Sequence, residues 1–375
     1  MKINQNKTIN PVVHFLVNNA VPLFIFLLVI FSIPLSGLSG TFLINEIITR
    51  FSRDLPLILA LLIPVMAGMG MNFSIVLGAM SGQIGLIFLT DWQIAGVPGL
   101  LLAILISTPI AVLLGYFAGV VLNLAKGKEM VTGFILAFFM DGIYQIIVLF
   151  GMGTVIPIIT SDILLPNGYG VKNSVNFIGV RQVLEKLIPL KIGQISIPVG
   201  NFIVIAILCL FIIWLKKTKF GQEIQTVGNS NEVARMSGIN VEKTRILSII
   251  ISTVLACYGQ IIFLQNIGTM STYNSHQPVG VFAIAALLVG GASVTKATIP
   301  HAFIGVILFH TLFVVAPRAG VTLIGVPQLG EYFRVFVSYG VIALSLALYA
   351  WRKRVEKENE RKKALNLKRS LLAEQ

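Results

Sequence analysis

Charge is what this chain has least of. Only 11% of its 375 residues are Asp, Glu, Lys or Arg, against 56% hydrophobic, and mean hydropathy is +0.89, which excludes a soluble globular domain. Acid is the scarcer sign, with 15 Asp and Glu to 28 Lys and Arg. There are two cysteines, Cys209 and Cys257, both inside apolar runs, so neither a disulfide framework nor a cysteine metal site is expected. The four histidines have no metal-ligand spacing. No G-x-x-x-x-G-K-S/T phosphate loop occurs: Gly127-Lys128 lacks the earlier glycine and is followed by Glu129, so the chain is not itself an ATPase. Nor is there an H-E-x-x-H, a G-x-S-x-G or a clustered His/Cys/carboxylate set, and an enzyme is not expected.

What remains is apolar length. Runs of about 20 apolar residues, enough to cross a hydrocarbon core of about 30 Å, recur along the chain. Ten spans are predicted, at 13–36, 55–71, 73–90, 97–124, 131–153, 200–215, 245–265, 279–295, 299–316 and 333–351. With both termini cytoplasmic, 20 of the 28 basic residues fall on the inner side, as the positive-inside rule requires. That asymmetry accounts for the net charge of +13 better than nucleic acid does. Lys2 and Lys7 precede the first run without a cleavage site, so an uncleaved first span is expected. The fold class expected is an all-α polytopic bundle over 1–351, with a basic cytoplasmic tail over 352–375. Spans 2–5 and 7–10 enter in opposite directions, the layout of an inverted repeat.

One stretch interrupts this pattern: residues 216–245, KKTKFGQEIQTVGNSNEVARMSGINVEKTR, with six basic residues. It reads as two short helices, Lys219 to Val227 closed by Gly228, and Ser230 to Ser237 closed by Gly238. Asn229 and Glu232 are placed to form a capping box. Val233, Met236 and Ile239 make an apolar stripe on the second helix. Such a stripe packs either on the chain's own membrane domain or in a groove on another protein. The pattern of Thr218, Phe220, Gly221, Ile224, Gly228, Asn229, Ala234, Ser237, Gly238, Ile239 and Val241 resembles the cytoplasmic coupling loop of ABC importer permeases of the ribose and branched-chain amino acid type. Ile284, Ala285, Ala286, Gly290 and Gly291 extend the resemblance, which covers about residues 55–350. The chain departs from it at Gln222, at Val233-Ala234, at Asn72, where an acid is usual nearby, and at Thr295-Lys296-Ala297. The resemblance implies that Phe220, Gly221, Gly228, Asn229, Val233, Ala234, Met236, Gly238 and Ile239 meet a separate ABC ATPase subunit. It further implies ATP and Mg on that partner and no cofactor on this chain, a second permease copy or homologue, and an external substrate-binding protein.

Polar groups inside the spans are few. Ser74, Gly78, Ser81 and Gly85 form a small-residue stripe, and Gly115 and Gly119 a GxxxG, both suited to close helix packing. Asp141 lies mid-span with Phe138 and Gln145 on its face. A carboxyl there costs about 2.5–3.5 kcal/mol on insertion scales, so it faces protein or water. It is either hydrogen-bonded packing or part of a solute path with Asn72, Ser74, Gln83, Gln260 and His310. Residues 154–199 form a long outer segment with an amphipathic turn at Val183, Leu184, Leu187 and Ile188, expected on the membrane surface, where a binding protein could dock. The function expected is the permease subunit of an ABC importer for a small polar solute, simple sugar before nucleoside, in the plasma membrane of a prokaryote. The alternative is an ion-coupled secondary transporter, a class that usually shows more intramembrane carboxylates than Asp141 alone.

Overall fold

The computed structural model describes residues 19–326 and scattered positions between 328 and 354. The basic tail and most of the expected span 333–351 lie outside the described residues. Among the described residues, six helices are long and apolar enough to cross a membrane: Phe73–Asp91, Gly96–Leu124, Glu129–Gly151, Val199–Lys217, Val241–Ile267 and Ile299–Leu323. Two shorter apolar helices, Val21–Ser36 and Gln277–Val289, join them. The chain is a polytopic helical membrane protein, with eight of the ten expected segments present as apolar helices.

In chain order the helices are α1 (Ala20–Ser36), α2 (Gly40–Ala60), α3 (Leu62–Met66), α4 (Val76–Asp91, entered through a 3-10 turn Phe73–Ile75), α5 (Gly96–Leu124) and α6 (Glu129–Ile146, continued by a π turn to Gly151). Then come α7 (Val183–Leu187), α8 (Val199–Lys217), α9 (Lys219–Asn229), α10 (Asn231–Met236), α11 (Val241–Ile267), α12 (Gln277–Val289) and α13 (Ile299–Ile324). Two antiparallel ribbons correct the all-α expectation: β1 (Ser174–Asn176) pairs with β4 (Thr269–Ser271), and β2 (Pro189–Ile192) with β3 (Ile195–Pro198). Both ribbons involve the 154–199 segment, whose prolines and glycines prevent a continuous helix.

The span expected at 55–71 is placed differently. Its helix starts at Gly40, capped by Ser39 accepting from Phe42 N, and carries Arg50, Arg53 and Asp54 within it. Charge did not end the helix because the charges are paired: Arg50 with Glu46 at 2.7 Å one turn away, and Arg53 with Asp54 at 3.4 Å. After α3 the chain leaves the helix over 67–72, where Gly68 and Gly70 take left-handed φ of 70° and 74°. The span expected at 279–295 is shorter, Gln277–Val289, because the chain turns at Gly290 and Gly291 (φ 91°) and 268–276 approaches it as a non-helical segment.

The core sits where α2–α3, α4, α11 and α12 meet, and α5, α6 and α8 lie outside it. Glycine sets these distances. Methyl groups at Gly78 and Gly82 would strike the Thr253 and Cys257 carbonyls of α11. A Cβ at Gly115 or Gly119 would lie 2.9 or 3.1 Å from an α11 Cα. Both small-residue motifs are therefore close-packing surfaces.

Candidate functional site

Asp141 lies about halfway along α6 and is met there by side chains from the start of α12 and from its own helix. His276, the residue before α12, brings Nε2 to 2.6 Å from Asp141 Oδ1, and its Nδ1 lies 2.9 Å from Gln83 Oε1 on α4. Gln277 Nε2 donates to Asp141 Oδ2 at 3.0 Å, and Gln145 Nε2, one turn along α6, reaches both carboxylate oxygens at 3.2 and 3.3 Å. The Tyr144 ring packs edge-on against the imidazole at 4.8 Å between centroids. His276 and Gln83 are wholly buried, whereas Asp141 is partly exposed and Gln277 exposed.

Asp141 opens into a small cleft of about 40 Å³ lined by Phe73, Val76, Phe134, Ala137, Phe138, Gln277, Gly280 and Val281. Phe134 stacks edge-to-face on Phe73 (5.4 Å) and Phe138 (4.7 Å), making one aromatic wall. Few polar groups converging in an aromatic surround is the usual chemistry of a small-molecule site. No Lys or Arg lines the cleft among the described residues. The volume holds a few waters and no sugar. Phe138 is 63% exposed beside it, so the cleft is open towards whatever lies against α6.

Of the path residues expected from sequence, Gln83, Phe138, Asp141 and Gln145 come together here. Gln260 is one step away, its Nε2 donating to the Ser275 carbonyl at 3.4 Å. Asn72 and Ser74 are buried at the entry to α4, where the Asn72 carboxamide caps the 3-10 turn by accepting from Ser74 N at 3.0 Å. His310 is elsewhere, its Nε2 3.3 Å from Asp54 Oδ2. His276 and Gln277 were not anticipated. His276 sits at a segment end with no charge nearby in sequence, and only the fold of 268–276 into the bundle delivers it to Asp141.

A second polar cluster ties α2, α7, α8 and α11. Glu185 of α7 accepts from Asn201 (2.8 Å), Asn266 (2.8 Å) and Gln265 (3.1 Å), and Arg53 donates to Asn266 Oδ1 at 3.3 Å. The amphipathic turn thus directs its one carboxylate inward while Leu187 and Ile188 stay exposed.

The 216–245 stretch forms the two helices expected, with different ends. Thr218 caps α9 by accepting from Gly221 N at 3.1 Å, and Ser230, not Asn229, caps α10 by accepting from Val233 N at 3.3 Å. Asn229 is the last residue of α9. Gly228 does not end the helix in a left-handed turn. It lies within α9 against the turn after α3, where a Cβ on Gly68 would sit 2.9 Å from the Gly228 Cα. Gly238 does take the left-handed conformation, at φ 75°. Val227, Ala234 and Val241 form a small core beneath Ile239, with Phe220 and Ile224 packed on the main core and Gly221 buried. Val233 (48%) and Met236 (81%) are left exposed.

Among the described residues, six helices able to cross a bilayer, two segments broken at glycines and a polar cluster opening on a cleft make a polytopic helical membrane protein. The family model described as "Branched-chain amino acid transport system / permease component" matches residues 57–348, and the chain belongs to that family. The description is that of a transport component and not of an enzyme. Over 152 residues the chain is 31% identical to the xylose transport system permease protein XylH of Haemophilus influenzae, covering 40% of this chain and 38% of that one. It is 30% identical over 149 residues to the galactose/methyl galactoside import permease protein MglC of Salmonella typhimurium (39% and 41% of the two chains). It is 29% identical over 156 residues to the nucleoside ABC transporter permease protein NupC of Lactococcus lactis (42% and 47%). The chain spans less than half the length of these curated relatives. No solved structure matches it.

Proposed function

We propose that this chain is the membrane-spanning permease subunit of an ATP-binding-cassette importer, carrying a neutral polar solute, simple sugar before nucleoside, past Asp141. The observation that carries the reading is the cleft at Asp141. Acceptors and donors converge halfway down the bundle beside an aromatic wall, with no cation to pair an anionic solute among the described lining. That composition favours hydroxyl-bearing solutes over amino acids, in line with the xylose, galactose and nucleoside permeases among the relatives. A cleft of about 40 Å³ is too small for a sugar, so the solute passes between this face and a second permease copy or homologue that closes it.

Energy comes from a separate ATPase subunit, which holds ATP and Mg, through the exposed Val233 and Met236 of α10. A substrate-binding protein docks at the other end, on the 154–199 segment. The 216–245 end is cytoplasmic and the membrane is the plasma membrane of a prokaryote. Ten spans in an inverted repeat are supported by the matching order of α2–α3, break, α4, α5 and of α11, break, α12, α13. Their breaks lie at opposite ends: Gly68 against α9, Gly268 against Arg181. The test is uptake of labelled xylose, galactose and uridine by vesicles holding the whole complex. Asp141→Asn should fold and assemble but lose most uptake, and unchanged uptake would place the path elsewhere.

A further inference from the structure

We infer that His276 is the positioning residue for the solute-binding carboxylate: a Gln83–His276–Asp141 chain fixes one oxygen of Asp141 and leaves the other to exchange Gln277 for a solute hydroxyl. The inference rests on the reading that solute passes Asp141.

The two carboxylate oxygens are not equivalent. Oδ1 is held at 2.6 Å by a ring that is wholly buried, clamped by Gln83 at Nδ1 and by Tyr144 at its edge. Oδ2 is held at 3.0 Å by the carboxamide of Gln277, an exposed residue at the mouth of the cleft. Gln145 offers one N–H₂ to both oxygens at 3.2 and 3.3 Å, a weaker contact that follows the carboxylate on its own helix. Removing the His276 bond would strand a buried polar group, whereas Gln277 can leave Oδ2 for water at little cost. A solute hydroxyl therefore replaces Gln277 and not His276.

The two ring nitrogens of His276 join Gln83 to Oδ1, so the imidazole cannot turn without losing both contacts. A carboxylate oxygen held in a fixed orientation fits an acceptor for uncharged hydroxyls. Three elements contribute one residue each: α4 gives Gln83, α6 gives Asp141, and the segment before α12 gives His276. The acceptor's geometry thus depends on how 268–276 sits against α4 and α6.

The two amide replacements of His276 separate positioning from filling. In His276→Gln the amide can occupy the place of Nε2 and still donate to Asp141. In His276→Asn it reaches only the place of Nδ1 and Gln83. Uptake of labelled galactose and uridine by the reconstituted whole complex, measured over a range of solute delivered by its binding protein, gives KM and maximal rate separately. His276→Asn should raise KM about ten-fold with a much smaller change in maximal rate, as should Gln83→Met, at a wholly buried residue behind the ring; His276→Gln should stay within about three-fold of the parent. Equal effects of the Gln and Asn variants, or no effect of either, would overturn the inference provided Asp141→Asn still raises KM. If Asp141→Asn leaves KM unchanged, the path reading itself fails instead. Should His276→Asn not assemble, Gln83→Met decides, and an unchanged KM there overturns the inference.

Discussion

Arg245 is 2% exposed, and its guanidinium is paired with Glu129 at the end of the bundle where α6 and α11 begin. Nearby, Lys126 and Glu242 form a second pair at 2.9 Å, with both side chains largely exposed. The two pairs resemble each other in sequence and differ in what their loss costs. Glu129→Ala leaves a buried cation without its counter-charge, and about 3–5 kcal/mol of destabilisation is expected. Glu242→Ala removes a pair that water screens on both sides, and little change in stability is expected. Thermal unfolding of the purified protein should separate them clearly, and equal shifts would show that Arg245 finds another partner. The same distinction governs what could be read from the chain alone. Asp141 was legible because a carboxylate inside an apolar run has to be explained. Arg50 and Arg53 read as a boundary, because sequence does not show that Glu46, Asp54 and Asn266 pair them inside a helix. His276 was illegible as a partner, since its contact with Asp141 bridges 135 residues.

The α9–α10 pair has a face towards the bundle and a face away from it. Towards the bundle, Gly228 meets Met66 and Gly68, so backbone touches backbone with no side chain between to absorb movement. From that contact the chain runs through the left-handed Gly68 and Gly70 to Asn72 and into α4, which carries Gln83. Away from the bundle, Met236 is 81% exposed. A push on α10 thus has a short, stiff route to the break before α4. Gly228→Val should part α9 from the turn at 66–68 and lower uptake per ATP hydrolysed by the complex while the ATPase still binds. Met236→Glu should weaken ATPase binding itself, seen as loss of cross-linking from a neighbouring position on α10. If Gly228→Val keeps full coupling, the contact is packing only. The two helices and the exposed Val233 and Met236 were legible from periodicity, whereas the capping box at Asn229 was misplaced, Ser230 being the cap, and Ile239 packs inward on Val227, Ala234 and Val241. The role of Gly228 was not, because a glycine near a helix end reads as a terminator until the structure places another backbone against it.

At the scale of the whole molecule, the question is what drives transport. The chain carries no phosphate loop, so energy from ATP has to arrive through a contact, and α9–α10 offer the surface for one. The fold does contain more paired ionisable groups than the sequence suggested. Besides Asp141–His276, Arg53, Asp54 and His310 cluster between α2 and α13, and such intramembrane groups are what a proton- or sodium-coupled carrier would use. Their geometry argues for closed pairs. His310 Nε2 lies 3.3 Å from Asp54, and Asp54 also takes a bond from Arg53, so its charge is already answered within the protein. Vesicles containing this chain, the ATPase and the binding protein distinguish the two sources of energy. With ATP inside the compartment that holds the ATPase, uptake should persist after proton and sodium gradients are collapsed. An ATPase lacking its phosphate-loop lysine should abolish uptake under any gradient. Uptake by this chain alone, driven by a sodium or proton gradient without ATP, would instead make the paired groups an ion relay and the chain a secondary transporter.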